Sequence, residues 1–306
     1  MRIVRFGPSG EEVPGCLVDG GVVPLAPLTD GLSVERLIGV WDQLAPELPG
    51  FLAAARPLPL DGLRLGTPLG RPPKIIGVGA NYRSADGAPP PGPVDPILFF
   101  KPASSLVGPT DDVVLPFEAR SVVGEVELAV VIGRPGHRIA PQQAMSHVFG
   151  YTIANDLTAP EIMLGDSAQS PLFFQQGRGK GFPTFCPLGP WIVTAPAFPA
   201  PTGCHLEQEV DGVVELSGPA SLMHHSIATL VSEVSHAFGL EPGDVILSGS
   251  PRPAPGKRRQ PLVHGNLLVS RITGLGELRN RVVAEPDRWP GQPLRRWSSE
   301  GQGGSY

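Results

Sequence analysis

The sequence is short of several features that would assign it quickly. It has three cysteines, Cys16, Cys186 and Cys204, which are far apart, odd in number and never in CxxC spacing. A zinc cluster or a disulfide framework is therefore not expected, and reduced thiols point to a cytoplasmic protein. Nowhere do about 18 apolar residues run together, so no membrane span is expected. The opening residues, Met1 to Pro8, lack the apolar stretch of a secretory leader. Positive charge is also scarce: 24 Lys and Arg stand against 29 Asp and Glu, a net charge of −5. That argues against the basic surface on which non-specific nucleic-acid binding depends. No internal repeat is visible, and no histidine precedes His137.

What the chain does have is glycine and proline, 39 and 38 in 306 residues. Such content favours turns and short strands over long helices. Residues 2–6 and 15–25 read as short strands, 33–56 carry a mixed, partly helical pattern, and Pro57, Pro59, Pro72 and Pro73 mark a linker. The expected division is a small β-rich N-terminal domain over 1–65, a main domain over 66–285, and a C-terminal tail over 286–306 without order at its end. Strand-like runs recur from Ile75 to Val283. Asp211-Gly212 between two of them predicts a hairpin turn. One helix is predicted over 227–238, with Ile227, Leu230, Val231, Val234 and Phe238 on one face, Ser226 as N-cap and Gly239 just past its end. The fold class is mainly β with a few helices, an α+β chain. Residues 83–95 (RSADGAPPPGPVD) are too polar and too broken for a core and are expected to form an exposed loop or lid.

The most informative segment is EVELAVVIG, 125–133. In a strand, residues two apart share a face, so Glu125 and Glu127 project side by side. Paired carboxylates repel, and a hard cation such as Mg²⁺ or Ca²⁺ removes that penalty. The same alternation also suits two glutamates on a solvated strand face, and spacing alone does not choose. An apolar strand, 151–155, leads into Asp156, placed to line a cleft or to cap a turn. Lys180 lies between glycines in RGKGF, as a cation beside bound carboxylates or as an ordinary loop lysine. His224 and His225 precede the predicted helix, as an acid/base pair or as structural residues.

Taken together, these pieces resemble the fumarylacetoacetate hydrolase superfamily, in its branch of acylpyruvases and 2-hydroxyhepta-2,4-diene-1,7-dioate isomerases. The stretches that carry the resemblance are IIGVGANY (75–82), LFFKPASSLVGP (98–109), EVELAVVIG (125–133), GYTIANDLTA (150–159), RGKGFPTFCPLGPWIVT (178–194), LEPGDVILSGSP (240–251) and ITGLGELRNRVV (272–283). The resemblance implies a mixed β-sandwich roll with a small N-terminal domain, as a homodimer. It implies Mg²⁺, with Mn²⁺ or Ca²⁺ as alternatives, held by Glu125, Glu127 and Asp156. It implies Lys180 as a catalytic residue at the substrate's carbonyl or carboxylate oxygens. Ser250, where the family has a threonine, and Lys101 in the FKP segment are the implied substrate-binding residues. The implied substrates are small oxo acids and β-dicarbonyl compounds, chelated by the metal and carried through an enolate to C–C hydrolysis, decarboxylation or isomerisation.

The chain also departs from that pattern. Hydrolytic members carry a water-activating His and Glu on the lid after the Asn-Tyr pair, and here those positions hold Ala85 and Ala88. Pro160 and Met163 stand where many members bind substrate, Val123-Gly124 replace an Asp-Tyr pair, and Arg252-Pro-Ala-Pro-Gly replaces a Gly-Val-Gly turn. Kept ligands with a lost dyad predict altered chemistry, such as decarboxylation, isomerisation or cyclisation. The alternatives are C–C hydrolysis with another base such as Asp86, and a non-catalytic metal-binding subunit. More distant still is a metal-free binding module whose glutamates are surface charge.

Overall fold

The computed structural model describes residues 1–83, 95–165, 167–253 and 258–285. Positions 85, 86 and 88, most of the expected lid and the expected tail lie outside the described residues. The strands are, in chain order, β1 (Arg2–Phe6), β2 (Val13–Val18), β3 (Gly21–Pro24), β4 (Ile75–Gly79), β5 (Ile97–Lys101), β6 (Leu106–Val107), β7 (Val113–Leu115), β8 (Val126–Ile132), β9 (Val148–Asn155), β10 (Cys186–Thr194), β11 (His205–Val210), β12 (Val213–Pro219), β13 (Val245–Leu247), β14 (Leu267–Ile272) and β15 (Gly276–Ala284). The helices are short: α1 (Ala26–Thr29), α2 (Val34–Gly39), α3 (Trp41–Leu44), α4 (Leu48–Ala54), α5 (Pro160–Leu164), α6 (Gln176–Lys180) and α7 (Ile227–Ala237).

The strands form two mixed sheets. The larger runs β3-β2-β1-β10-β9-β8-β13-β4-β5, with β6 pairing beside β10, and the smaller runs β12-β11-β14-β15-β7. The sheets face each other across a core that joins Leu128, Val130 and Ile153 of the large sheet to Leu206, Leu216, Ile272 and Leu278 of the small one. Leu230, Val231 and Val234 of α7 complete that core. The other face of the large sheet packs under the N-terminal helices, where Ala129, Val131, Leu188 and Val245 meet Leu37, Ile38 and Leu48. The result is an α+β sandwich, mainly of strands.

This two-sided cover explains a difference from the simple alternating pattern. Every residue of β8 is buried, not one face alone. Leu128 and Ile132 enter one core while Ala129 and Val131 enter the other. Glu127, in the same strand, is 2% exposed, which removes the reading of a solvated strand face for it.

Local rules hold elsewhere. The Asp211-Gly212 turn has positive φ at both residues, 50° and 79°, and closes the β11–β12 hairpin at Val210 and Val213. Ser226 caps α7 by accepting the backbone N–H of Thr229. The end of α7 differs: Phe238 is already extended, and Gly239 is not left-handed, so the helix stops without a glycine cap. The N-terminal strands join the large sheet through β1, where Arg2 pairs with Val193 and Ile3 with Ile192.

Candidate metal and substrate site

Glu125, Glu127 and Asp156 are brought together by β8 and β9, which pair antiparallel with Val126 opposite Asn155 and Glu127 opposite Ala154. Where the strands end, the backbone N–H of Asp156 donates to the carbonyl of Glu125 at 2.9 Å. Asn155 Oδ1 accepts the N–H of Glu125 at 2.8 Å, and its amide donates to Gln208 Oε1 and Ser270 Oγ of the small sheet at 2.9 and 2.8 Å. The two ends are thereby fixed side by side. One carboxylate oxygen from each of Glu125, Glu127 and Asp156 lies within 4.8 Å of the others.

Lys180 closes this cluster from the end of α6. Its ammonium donates to Glu125 Oε2 at 2.8 Å, Asp156 Oδ2 at 2.5 Å and Thr158 Oγ1 at 2.7 Å. It also sits 5.0 Å from the centre of the Phe99 ring. Lys101 stands behind: its Nζ is 2.7 Å from Asp156 Oδ1 and donates to the carbonyl of Lys180. Lys101, Glu127, Asp156 and Lys180 are each 5% exposed or less.

The charges are unequally matched. Burial pushes the Asp156 carboxyl up, but Lys101 and Lys180 outweigh it and hold the group below its ordinary value. Burial pushes the Lys180 ammonium down, and Asp156 and Glu125 more than reverse that. Glu127 goes the other way. Burial first, then the charges of Asp156 and Glu125, push it well above the carboxylate range, against weaker help from Lys180 and the Gly249 N–H. Among the described residues Glu127 has no ion-pair partner; its Oε2 accepts from Gly249 N at 2.6 Å. Gly249 has φ +91°, and a Cβ there would stand 2.9 Å from that of Asn81, so glycine is needed for this contact.

A buried carboxylate without a cation, beside two others, fits a hard divalent ion with oxygen ligands. The donor set is all oxygen, with no histidine or cysteine, which suits Mg²⁺, Mn²⁺ or Ca²⁺ rather than a thiolate-bound metal.

The three carboxylates and Lys180 line one cleft of about 560 Å³, together with Tyr82, Ser250, Arg252, Arg258 and Arg259 among the described residues. Ser250 Oγ is buried there without a hydrogen-bond partner among the described residues. Lys101 does not line the cleft; it supports Asp156 from beneath. His224 and His225 are not among the described residues that line it, and their rings pack edge-on at 4.6 Å. The three arginines were not legible as site residues. Arg259 forms an ion pair with Glu125 Oε1, and Arg252 Nε donates to the carbonyl of Tyr82. The sequence does offer the loop 252–264, which departs from the familiar turn, as shaping the pocket, and Arg258 and Arg259 stand there in a basic cluster, KRR at 257–259.

Comparison with known proteins bears on the fold and the family. The 2,4-didehydro-3-deoxy-L-rhamnonate hydrolase of Sphingomonas sp. (strain SKA58) is 34% identical over 288 residues, 92% of this chain and 96% of that protein. The crystal structure of maleylpyruvate hydrolase from Sphingobium sp. SYK-6, in complex with manganese (II) ion and pyruvate, superimposes with a TM-score of 0.80 at 28% identity, covering 94% of this chain and 100% of the other. The 2-hydroxyhepta-2,4-diene-1,7-dioate isomerase of Mycobacterium marinum gives a TM-score of 0.71 at 30% identity, covering 94% and 100%. Residues 74–283 match the fumarylacetoacetate (FAA) hydrolase C-terminal family, and the chain belongs to it.

Proposed function

We propose that this chain is a divalent-cation-dependent enzyme acting on a small 2-oxo acid or β-dicarbonyl compound, with Glu125, Glu127 and Asp156 as cation ligands and Mg²⁺ or Mn²⁺ as the ion. The observation that carries the reading is Glu127, a buried carboxylate with no ion-pair partner among the described residues, in a three-carboxylate cluster that opens into a cleft. The manganese ion in the maleylpyruvate hydrolase relative supports it.

When bound, the cation supplies Lewis acidity toward a chelated oxo acid. The protein supplies the rest. Lys180 is charged, held between Glu125 and Asp156, and lines the cleft, so its ammonium can meet negative charge that develops on a substrate oxygen. The Ser250 hydroxyl, without a hydrogen-bond partner among the described residues, offers a donor for a substrate carboxylate. Lys101 keeps Asp156 ionised and in place.

On sequence grounds the reaction is one that dispenses with the lid His/Glu pair, a decarboxylation, isomerisation or cyclisation, since positions 85 and 88 are alanines. Hydrolysis with another base is the second reading, favoured by the hydrolases among the relatives. Incubating the pure protein with acetylpyruvate and with oxaloacetate, in Mg²⁺ or in EDTA, separates them by mass spectrometry. Metal-dependent loss of CO₂ supports the first, and metal-dependent C–C cleavage with uptake of water the second. Failure to bind Mg²⁺ or Mn²⁺ at millimolar concentration sinks both.

A further inference from the structure

We infer that Arg259 competes with the divalent cation for Glu125, and that the buried Glu215 is a positioning residue that holds the loop on which Arg259 rides. This rests on the proposed function and adds to it a control on cation affinity.

The three carboxylates differ in what holds them. Lys101 holds Asp156 at Oδ1 and Lys180 holds it at Oδ2. Lys180 holds Glu125 at Oε2, and Arg259 holds it at Oε1. A cation that takes Glu125 as a ligand therefore meets an oxygen that a protein cation already claims. The lysines are fixed competitors, with buried side chains on β5 and at the end of α6. Arg259 is not fixed in that way. It comes from a loop, its side chain is 26% exposed, and its Nε is buried without a hydrogen-bond partner among the described residues. A guanidinium paired at one nitrogen and unmet at another loses least on release. Nor does Glu125 depend on it for aim: Asn155 and the Asp156 N–H fix its backbone, and Lys180 its carboxylate.

Glu215 lies on β12, is 5% exposed and is not among the residues that line the cleft. Its Oε1 accepts the N–H of Gln260, the residue after Arg259, at 3.0 Å. Its Oε2 is buried without a hydrogen-bond partner among the described residues. A buried carboxylate so poorly matched is costly to the fold, and what it secures is the loop. Further along, the Leu262 N–H donates to the carbonyl of Val122 at 2.7 Å, and before it Pro253 bridges to Leu216 of β12. The loop is thus pinned on both sides of Arg259. Pinning keeps the guanidinium at high effective concentration beside Glu125. The ordinary alternative is that Glu215 serves only the stability of its loop and that Arg259 only aims Glu125.

Calorimetric titration with Mn²⁺ separates the two. Arg259→Met should bind Mn²⁺ roughly tenfold or more tightly than the wild type, the scale of one charge removed beside a ligand. Arg259→Lys, which keeps the charge, should stay closer to the wild type. Glu215→Ala removes a negative charge, so charge alone predicts weaker binding of Mn²⁺. Loss of the tether predicts the opposite, binding about threefold or more tighter, with no further gain when Glu215→Ala is added to Arg259→Met. Glu215→Gln keeps an acceptor for Gln260 and should bind as the wild type does. Should Glu215→Ala not fold, Gln260→Pro removes the N–H that Glu215 holds and is read in the same way. Unchanged affinity in Arg259→Met, or a loss of roughly ten- to hundredfold as for a missing orienting partner, overturns the competition. Unchanged or weaker binding on loss of the tether overturns the role of Glu215. In either case binding of Mn²⁺ by the wild type keeps the proposed function; if the wild type does not bind Mn²⁺, both fall.

Discussion

Gly249 donates its backbone N–H to Glu127 at 2.6 Å, and among the described residues this is the one hydrogen bond that the buried carboxylate receives. One neutral donor does not offset the burial of a charge next to Asp156 and Glu125. Without a cation Glu127 therefore costs stability. Replacing it by glutamine keeps the acceptor for Gly249 and removes the charge. Glu127→Gln should melt at the wild-type temperature or above it in EDTA. It should lose the stabilisation that saturating Mn²⁺ gives the wild type, about 2.7 kcal/mol at a hundred times the dissociation constant. Melting curves with and without Mn²⁺ decide it; a variant that Mn²⁺ still stabilises fully would remove Glu127 from the ligand set.

Cation affinity should rise with pH. Proton and cation compete for Glu127, whose carboxyl is held well above its ordinary value, whereas Asp156 is held below. Below the raised Glu127 value each pH unit should weaken binding by up to about tenfold. Titration of Mn²⁺ across the neutral and mildly acidic range reads this directly. An affinity flat with pH would mean that Glu127 is ionised throughout.

Lys180 is the hub of two ion pairs, a buried one with Asp156 and a part-buried one with Glu125, so Lys180→Met should leave both carboxylates poorly matched. Breaking such a pair costs about 3–5 kcal/mol. The loss has a pH signature. Asp156 has a depressed value, so its pairing stabilises the fold above the ordinary carboxylate range and is lost as pH falls through the depressed value. The stability gap between wild type and variant should thus be full near neutrality and close in acid. Denaturant unfolding at several pH values checks this, and turnover should drop by orders of magnitude at any of them.

Asn155 never reaches the cleft, yet it ties Glu125 to Gln208 and Ser270. Asn155→Ala should destabilise by about 1–3 kcal/mol through orphaned partners. It should also weaken Mn²⁺ roughly ten- to hundredfold by loosening a ligand. A variant that is destabilised but binds Mn²⁺ as before would show that Asn155 serves the fold alone.

Much of this was legible where the cause is local. Asp211-Gly212 names its own turn, and Ser226 with the 3–4 spacing names α7. The carboxylates were visible because Glu125 and Glu127 obey strand parity. What sequence leaves open is set by partners far along the chain. The face that Ala129 and Val131 present is covered because α2 and α4, from residues 34 to 54, pack on it, and that makes β8 buried on both sides. The end of α7 follows from an extended Phe238 rather than from Gly239. Arg252, Arg258 and Arg259 reach the site through a loop whose path has no periodicity to read. Lys101, implied as a substrate contact, is tied to Asp156 and to the carbonyl of Lys180 and is not among the residues that line the cleft, a placement that no local pattern announces.

The parts of the cleft come from separate stretches. The carboxylates and Lys180 fall between 125 and 180, on two paired strands and a short helix, while Ser250 and the arginines fall between 250 and 259. Insertions, deletions or exchanges in the later stretch can re-aim recognition while leaving the earlier one intact. The two stretches still meet, through Arg259 on Glu125 and Gly249 on Glu127, so a change in the later one is felt by the carboxylates only at those two joints.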